Sequence, residues 1–175
     1  MLEDADLAGA VDAAYISRMA NNAQACINAK RFIVQSSVYD EFKDRLIEKI
    51  KSATVMGDQE DKATNLGPLV HVGARDNLRD QVERALTEGG ARLAHGTHKF
   101  TMPDKDLEDG AWFEPVVVEG MNPDSKVYRE ELFGPVFPLF KVDSPDEAVD
   151  LANKTDYGLS AAVWTEDPEK AESAA

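Results

Sequence analysis

The chain has one cysteine, Cys26, set in Asn21-Asn22-Ala23-Gln24-Ala25-Cys26-Ile27-Asn28. A thiolate is a potent nucleophile when a neighbouring charge or base takes its proton. The helical periodicity before Cys26 has ended and a strand pattern begins a few residues later, so the thiol falls on a turn. Rigid scaffolds present reactive groups in such places. Local pattern alone nonetheless favours the plainer reading, a small buried hydrophobe. His71, His95 and His98 are distant in sequence and carry no partner motif, which gives a Cys–His protease little support. The pair His95-x-x-His98 has the spacing of two metal ligands, but no further ligand cluster accompanies it, and solvated loop histidines are the expectation.

A second candidate is Arg129-Glu130-Glu131-Leu132-Phe133-Gly134-Pro135-Val136, two carboxylates and an aromatic on a Gly-Pro turn that leads into a strand. A carboxylate there can hold ribose hydroxyls and an aromatic can line a nicotinamide site. Residue types alone favour the plainer reading, an ordinary loop with a core Phe. The aromatic turn Gly110-Ala111-Trp112-Phe113-Glu114-Pro115 could line a pocket mouth or simply pack the domain, and Tyr157-Gly158-Leu159 after Asn153 reads as a helix exit. No glycine-rich phosphate loop, GxSxG elbow or CxxC pair occurs.

The elements that must position these residues can be read from periodicity. Residues 6 to 19 predict a helix with Leu7, Val11, Ala14 and Tyr15 on one face. Residues 31 to 34 predict a strand, and 38 to 52 a helix with the stripe Phe42, Leu46, Ile50 and a capping box at Ser37 and Asp40. After a polar loop from 57 to 68 comes a helix over 71 to 88, with Leu78, Val82 and Leu86 inward and Gly89-Gly90 closing it. Strands are expected at 91 to 94, 116 to 118, 136 to 142 and 160 to 164. A helix opened by Ser144-Pro145-Asp146-Glu147 runs to about Asn153, and another begins at Asp167-Pro168. Strands alternating with helices indicate an α/β domain with a largely parallel sheet.

At 175 residues the chain has the size of one domain, and 43% hydrophobic with 30% charged residues fits a globular protein. Its net charge of −14, from 33 acidic and 19 basic side chains, repels phosphate backbones and anionic lipid, which argues against nucleic-acid and membrane partners. One cysteine excludes an intrachain disulfide, and the N-terminus lacks the basic and apolar regions of a signal peptide; cytoplasmic is the default expectation. Both ends read as cut, because the first residues run straight into a helix and the last helix has barely begun.

Taken in order, these segments resemble the aldehyde dehydrogenase superfamily along nearly the whole chain. Ala23-Gln24-Ala25-Cys26 is similar to its Gly-Gln-x-Cys pattern, with Ala in place of Gly. Gly67-Pro68-Leu69-Val70 looks like its Gly-Pro-x turn, and Gly110 to Pro115 is similar to its Gly-x-aromatic-x-x-Pro motif. Glu131-Leu132-Phe133-Gly134-Pro135 matches its Glu-x-Phe-Gly-Pro signature, and Leu151-Ala152-Asn153 with Tyr157-Gly158-Leu159 matches the next one. Leu2 to Leu7 looks like the segment before the helix that leads to the cysteine.

The resemblance implies that residues 1–175 form the nucleophile-bearing catalytic domain, a largely parallel sheet flanked by helices. The N-terminal cofactor domain and the C-terminal oligomerisation strand would be absent. It implies Cys26 as the nucleophile that attacks an aldehyde, a thiohemiacetal whose oxyanion is met by backbone N–H and an Asn side chain, hydride transfer to NAD or NADP, and a thioester hydrolysed with the help of a general-base Glu. Glu131 would bind the nicotinamide ribose, Phe133 would help position the ring, and Gln24 would shape the cysteine loop. In the family the oxyanion Asn and the base lie upstream, so the chain is expected to be inactive alone and part of a homo-oligomer when complete. Asn28-Ala29-Lys30-Arg31-Phe32-Ile33-Val34 looks most like the succinate-semialdehyde branch, which implies small or ω-carboxy aldehydes as substrates. Departures from that branch are Ala20, where some members carry a carboxylate-gripping Arg, and the lack of a second cysteine next but one to Cys26. Ala23 is also a departure, because glycine would allow dihedrals that alanine disfavours. The competing reading is a non-catalytic domain, stable alone or as an assembly partner of a full-length homologue.

Overall fold

The computed structural model describes residues 1–174. Helix α1, Leu7–Met19, opens on Asp6, whose carboxylate accepts the Ala8 N–H. A left-handed turn over 21–23 then leads through the Cys26 loop to strand β1, Phe32–Gln35. Helix α2, Ser36–Ala53, follows directly. Helix α3 spans Val72–Thr87, β2 Arg92–His95, β3 Val116–Glu119 and β4 Val136–Val142. Helices α4, Pro145–Asn153, and α5, Pro168–Ala174, complete the order.

The four strands lie in the order β1-β4-β3-β2, with β1, β4 and β3 parallel and β2 antiparallel at one edge. This is the α/β architecture expected. Side chains alternate across the sheet, as the pleat requires. Val117, Phe137 and Leu139 face α1 and α2, where Val11, Phe42, Leu46 and Ile50 meet them. Val116, Val118, Val136 and Phe140 face α3, with Leu78, Val82 and Ala85. A parallel sheet covered on both faces explains why β3 and β4 read as near-continuous apolar runs.

Three local expectations need correction. Ser37 does not cap α2: β1 passes into the helix without a loop, Gln35 holds the cap position, and its side chain instead accepts the Glu3 N–H. The two histidines are not solvated loop residues. His95 ends β2, and His98 is buried with Nε2 2.6 Å from Glu83. Ser160–Trp164 forms no strand. Its one ladder-like bond is Leu2 N–H to Trp164 C=O, while the free edge of β1 is met by Met1, which donates to Ile33 C=O and accepts from Gln35 N–H. A cavity of about 690 Å³ separates Arg31–Val34 from 158–164, so the segment has no partner to pair with. Among the described residues, no helix is long and apolar enough to cross a membrane.

Candidate active site

The path into the Cys26 loop is set by three successive residues in the left-handed region: Asn21 (φ 54°), Asn22 (φ 54°) and Ala23 (φ 59°). Asparagine tolerates this region and alanine does not. The backbone therefore takes the route that glycine would favour, with alanine held there and fully buried. Two anchors fix it. Asn28, itself buried, donates to the C=O of Arg18 and Ala20 and so closes the C-terminal end of α1. On the other side, Asn22 accepts from Gly67 N–H and donates to Pro68 C=O, while Gln24 Oε1 accepts from Val70 N–H at 2.9 Å. The Gly67–Val70 turn thus braces the loop through two amide side chains. The Cys26 thiol is exposed, against the buried reading that local pattern favours.

The Glu130–Gly134 turn is held from two directions. From α3, Arg84 donates both terminal guanidinium nitrogens to the Glu130 carboxylate at 2.7 Å each, and Gln81 donates to Glu130 and to Glu131 C=O. The Arg84 bonds hold the Glu130 carboxyl below the usual glutamate range against a smaller opposing effect of burial, with Gln81 adding to the lowering. From α1, the fully buried Arg18 donates to Leu132 C=O, Gly134 C=O and Ala29 C=O. Burial pushes its guanidinium down to about 9, with Glu131 pulling the other way, and it stays charged at neutral pH. Gly134 allows the turn to sit against α3, since a Cβ there would lie 2.3 Å from Leu78 Cδ2. Leu132 is buried in the α3 cluster, whereas Glu131 is partly exposed and Phe133 is 40% exposed as a residue.

Lys30 joins the two segments. Its ammonium donates to Ala25 C=O at 3.0 Å, lies 3.1 Å from Glu131 Oε1 and sits 4.5 Å from the centre of the Phe133 ring. Cys26, Lys30 and Glu131 all line the 690 Å³ cavity. The structure therefore brings Cys26, Glu131 and Phe133 to one place. The aromatic turn is elsewhere: Ala111, Trp112 and Phe113 are buried, and Ala111 C=O receives Leu69 N–H. Tyr157 and Leu159 are exposed beyond α4. The last turn of α4 is tied down by Arg31, which donates to Leu151 and Ala152 C=O, and by Tyr128.

Sequence reasoning missed Arg18, Asn28 and Lys30. Arg18 had a visible signal, because a charge at position 18 continues the stripe Leu7, Val11, Ala14 and Tyr15 and so falls on the inward face. Lys30 had none, since Glu131 and Phe133, which give its contact with Ala25 a meaning, lie far along the chain. Among the described residues, no group of three or more His, Cys, Asp or Glu side chains could hold a metal ion.

A thiol loop braced beside a carboxylate–aromatic turn, on a mostly parallel α/β sheet, defines a class. The chain belongs to the aldehyde dehydrogenase family, whose sequence model matches residues 1–175. It is 39% identical over 168 residues to a succinate-semialdehyde dehydrogenase [NADP(+)] of Mycobacterium avium, covering 95% of this chain and 34% of that protein. It is 40% identical over 170 residues to a benzaldehyde dehydrogenase of Bacillus subtilis, covering 97% and 33%. The solved betaine aldehyde dehydrogenase of Staphylococcus aureus in complex with NAD+ superposes with a TM-score of 0.89 at 34% identity, over 99% of this chain and 34% of that one. The structure of 3,6-anhydro-L-galactose dehydrogenase in complex with NAP does so with a TM-score of 0.89 at 36% identity, over 97% and 35%. The chain spans about a third of the length of the curated relatives it matches.

Proposed function

We propose that this chain is the nucleophile-bearing part of an NAD(P)-dependent aldehyde dehydrogenase that oxidises an aldehyde to its carboxylic acid through Cys26. The observation that carries the reading is the exposed Cys26 thiol on a loop that Lys30 links to Glu131 and Phe133. The Cys26 sulfur forms a bond to the aldehyde carbon, and the carbonyl electron pair moves to oxygen, giving a thiohemiacetal. The Cys26 backbone N–H, unpaired among the described residues, is free to donate to that oxyanion. The coenzyme, when bound, supplies the acceptor for the hydride that leaves the same carbon. The C=O bond re-forms and a thioester remains on Cys26. Water then attacks, the C–S bond breaks, the thiolate departs, and the acid is released with a proton.

The residues present fit the nicotinamide end of such a coenzyme. Glu131 is partly exposed and spends one oxygen on Lys30, which leaves acceptor sites for ribose hydroxyls. The open face of Phe133 offers an apolar wall. The chain has no glycine-rich phosphate loop, so its own residues would hold the ribose and ring and not the phosphates. Succinate semialdehyde is the first substrate to try, because relatives at 39% identity carry that name, and benzaldehyde is the discriminating alternative.

The covalent half of this chemistry can be tested without coenzyme. Mixed with p-nitrophenyl acetate, the chain is expected to take one acetyl group on Cys26, seen by intact mass with release of p-nitrophenolate, and the Cys26→Ser variant none. Acetylation that is equal in the variant, or that never exceeds the rate of an unfolded peptide of the same loop, would remove the nucleophile reading.

A further inference from the structure

We infer that Lys30 is a positioning residue for this reaction, a cationic clamp that ties the backbone carrying Cys26 to the Glu131–Phe133 turn. The inference deepens the proposed function and rests on it. Three contacts of one ammonium carry it: Ala25 C=O at 3.0 Å, Glu131 Oε1 at 3.1 Å, and the Phe133 ring at 4.5 Å. An ammonium has three donors and no acceptor, so one nitrogen can hold two oxygens and still face a ring. Ala25 C=O also accepts from Asn28 N–H, so the peptide before Cys26 is fixed by two donors at once. Among the described residues, Glu131 and Phe133 have no other side-chain tether of this kind, since Arg84, Gln81 and Arg18 hold the turn by Glu130 and by backbone carbonyls.

The electrostatic surroundings agree. Burial, and then the Arg18 charge, hold the Lys30 ammonium below the usual lysine range, while Glu131 and Cys26 pull it back up. Of the charges acting on it, Glu131 is in direct contact at 3.1 Å. Lys30 offsets Glu131 beside the nucleophile; without it, a bare carboxylate would face any incoming anion and the developing oxyanion.

The test reads charge at the thiol and does not depend on turnover. Cys26 is alkylated with iodoacetate and, separately, with neutral iodoacetamide, in the chain itself and in Lys30→Met, Lys30→Arg and Glu131→Gln variants of matched melting temperature. A unit charge acting through water changes a rate by about fivefold at about 4 Å and about twofold at about 8 Å. Lys30→Met is therefore expected to lower the iodoacetate-to-iodoacetamide ratio by about two- to fivefold, Glu131→Gln to raise it by a similar factor, and Lys30→Arg to restore it. A purely structural role would move both reagents together. A ratio that stays within about twofold of the parent in both charge-removing variants would overturn the clamp. Failure of the nucleophile reading is a separate outcome, because it shows as no acetyl transfer to Cys26 in the parent chain while the alkylation ratio still reports on Lys30.

Discussion

Ala23 is where the chain departs from its family's pattern, and the backbone shows the consequence. It sits at φ 59°, after two asparagines that accept such angles, and it is fully buried. The left-handed conformation costs an alanine roughly 1–2 kcal/mol, part of which glycine would return as unfolded-chain entropy. Ala23→Gly is expected to stabilise the chain by about 1 kcal/mol, raising the melting temperature by roughly 2–4 °C. Calorimetry decides the point, and an unchanged or lower midpoint would mean the loop is not strained at Ala23. The position of Cys26 on a turn was legible from the change of periodicity around it. Its exposure was not, because neighbours at 21–28 do not reveal that Asn22 and Gln24 bond to the distant Gly67–Val70 turn while Asn28 turns back to the end of α1.

The helices and strands were legible where their own residues decide them. Ser144 accepts the Glu147 N–H as the capping pattern requires, and Phe42, Leu46 and Ile50 are buried as their spacing demands. Legibility fails where a partner decides. Ser160–Trp164 has strand residues but lies across a cavity from the edge it would join, and Ser37 has capping residues but lies inside a helix that begins without a loop. The Arg84–Glu130 pair, which fastens the Glu130–Gly134 turn to α3, gives a pH signature. Glu130 is held below its ordinary value of 4.5, so the pair's contribution is fully present above that pH and disappears as pH falls through the lowered folded value. For a bidentate, partly exposed pair that contribution is about 1 kcal/mol. Arg84→Met is expected to be less stable by that amount at neutral pH, the gap to the parent closing in acid. A gap that persisted unchanged in acid would place the effect in packing instead of charge.

Taken whole, the molecule shows apolar groups that its own fold does not cover. Ile27, Val70, Tyr157 and Leu159 are each more than half exposed, and the chain covers about a third of its relatives' length. Such groups favour association, while a net charge of −14 opposes it by repulsion that salt screens. Sedimentation velocity is expected to show self-association that grows with protein and salt concentration; a sharp monomer boundary at every concentration would contradict it. The family pattern was readable in the ordered motifs from Gln24 to Leu159, several of which supply a turn or anchor of the fold: Gln24 holds Val70, Ala111 holds Leu69, and Gly134 lies against Leu78. The Lys30 link was not, since it exists only once β1 and the Glu130–Gly134 turn are side by side.

Aldehyde oxidation through Cys26 is tested most directly by giving the chain the polypeptide its relatives have. Residues 1–175 would replace the matching third of the Mycobacterium avium succinate-semialdehyde dehydrogenase, and reduction of NADP+ would be followed with and without aldehyde. The expected result is aldehyde-dependent reduction that disappears in the Cys26→Ser form. A hybrid that folds, binds NADP+ and assembles like its parent, yet reduces none with any aldehyde or reduces it equally without Cys26, would contradict the assignment.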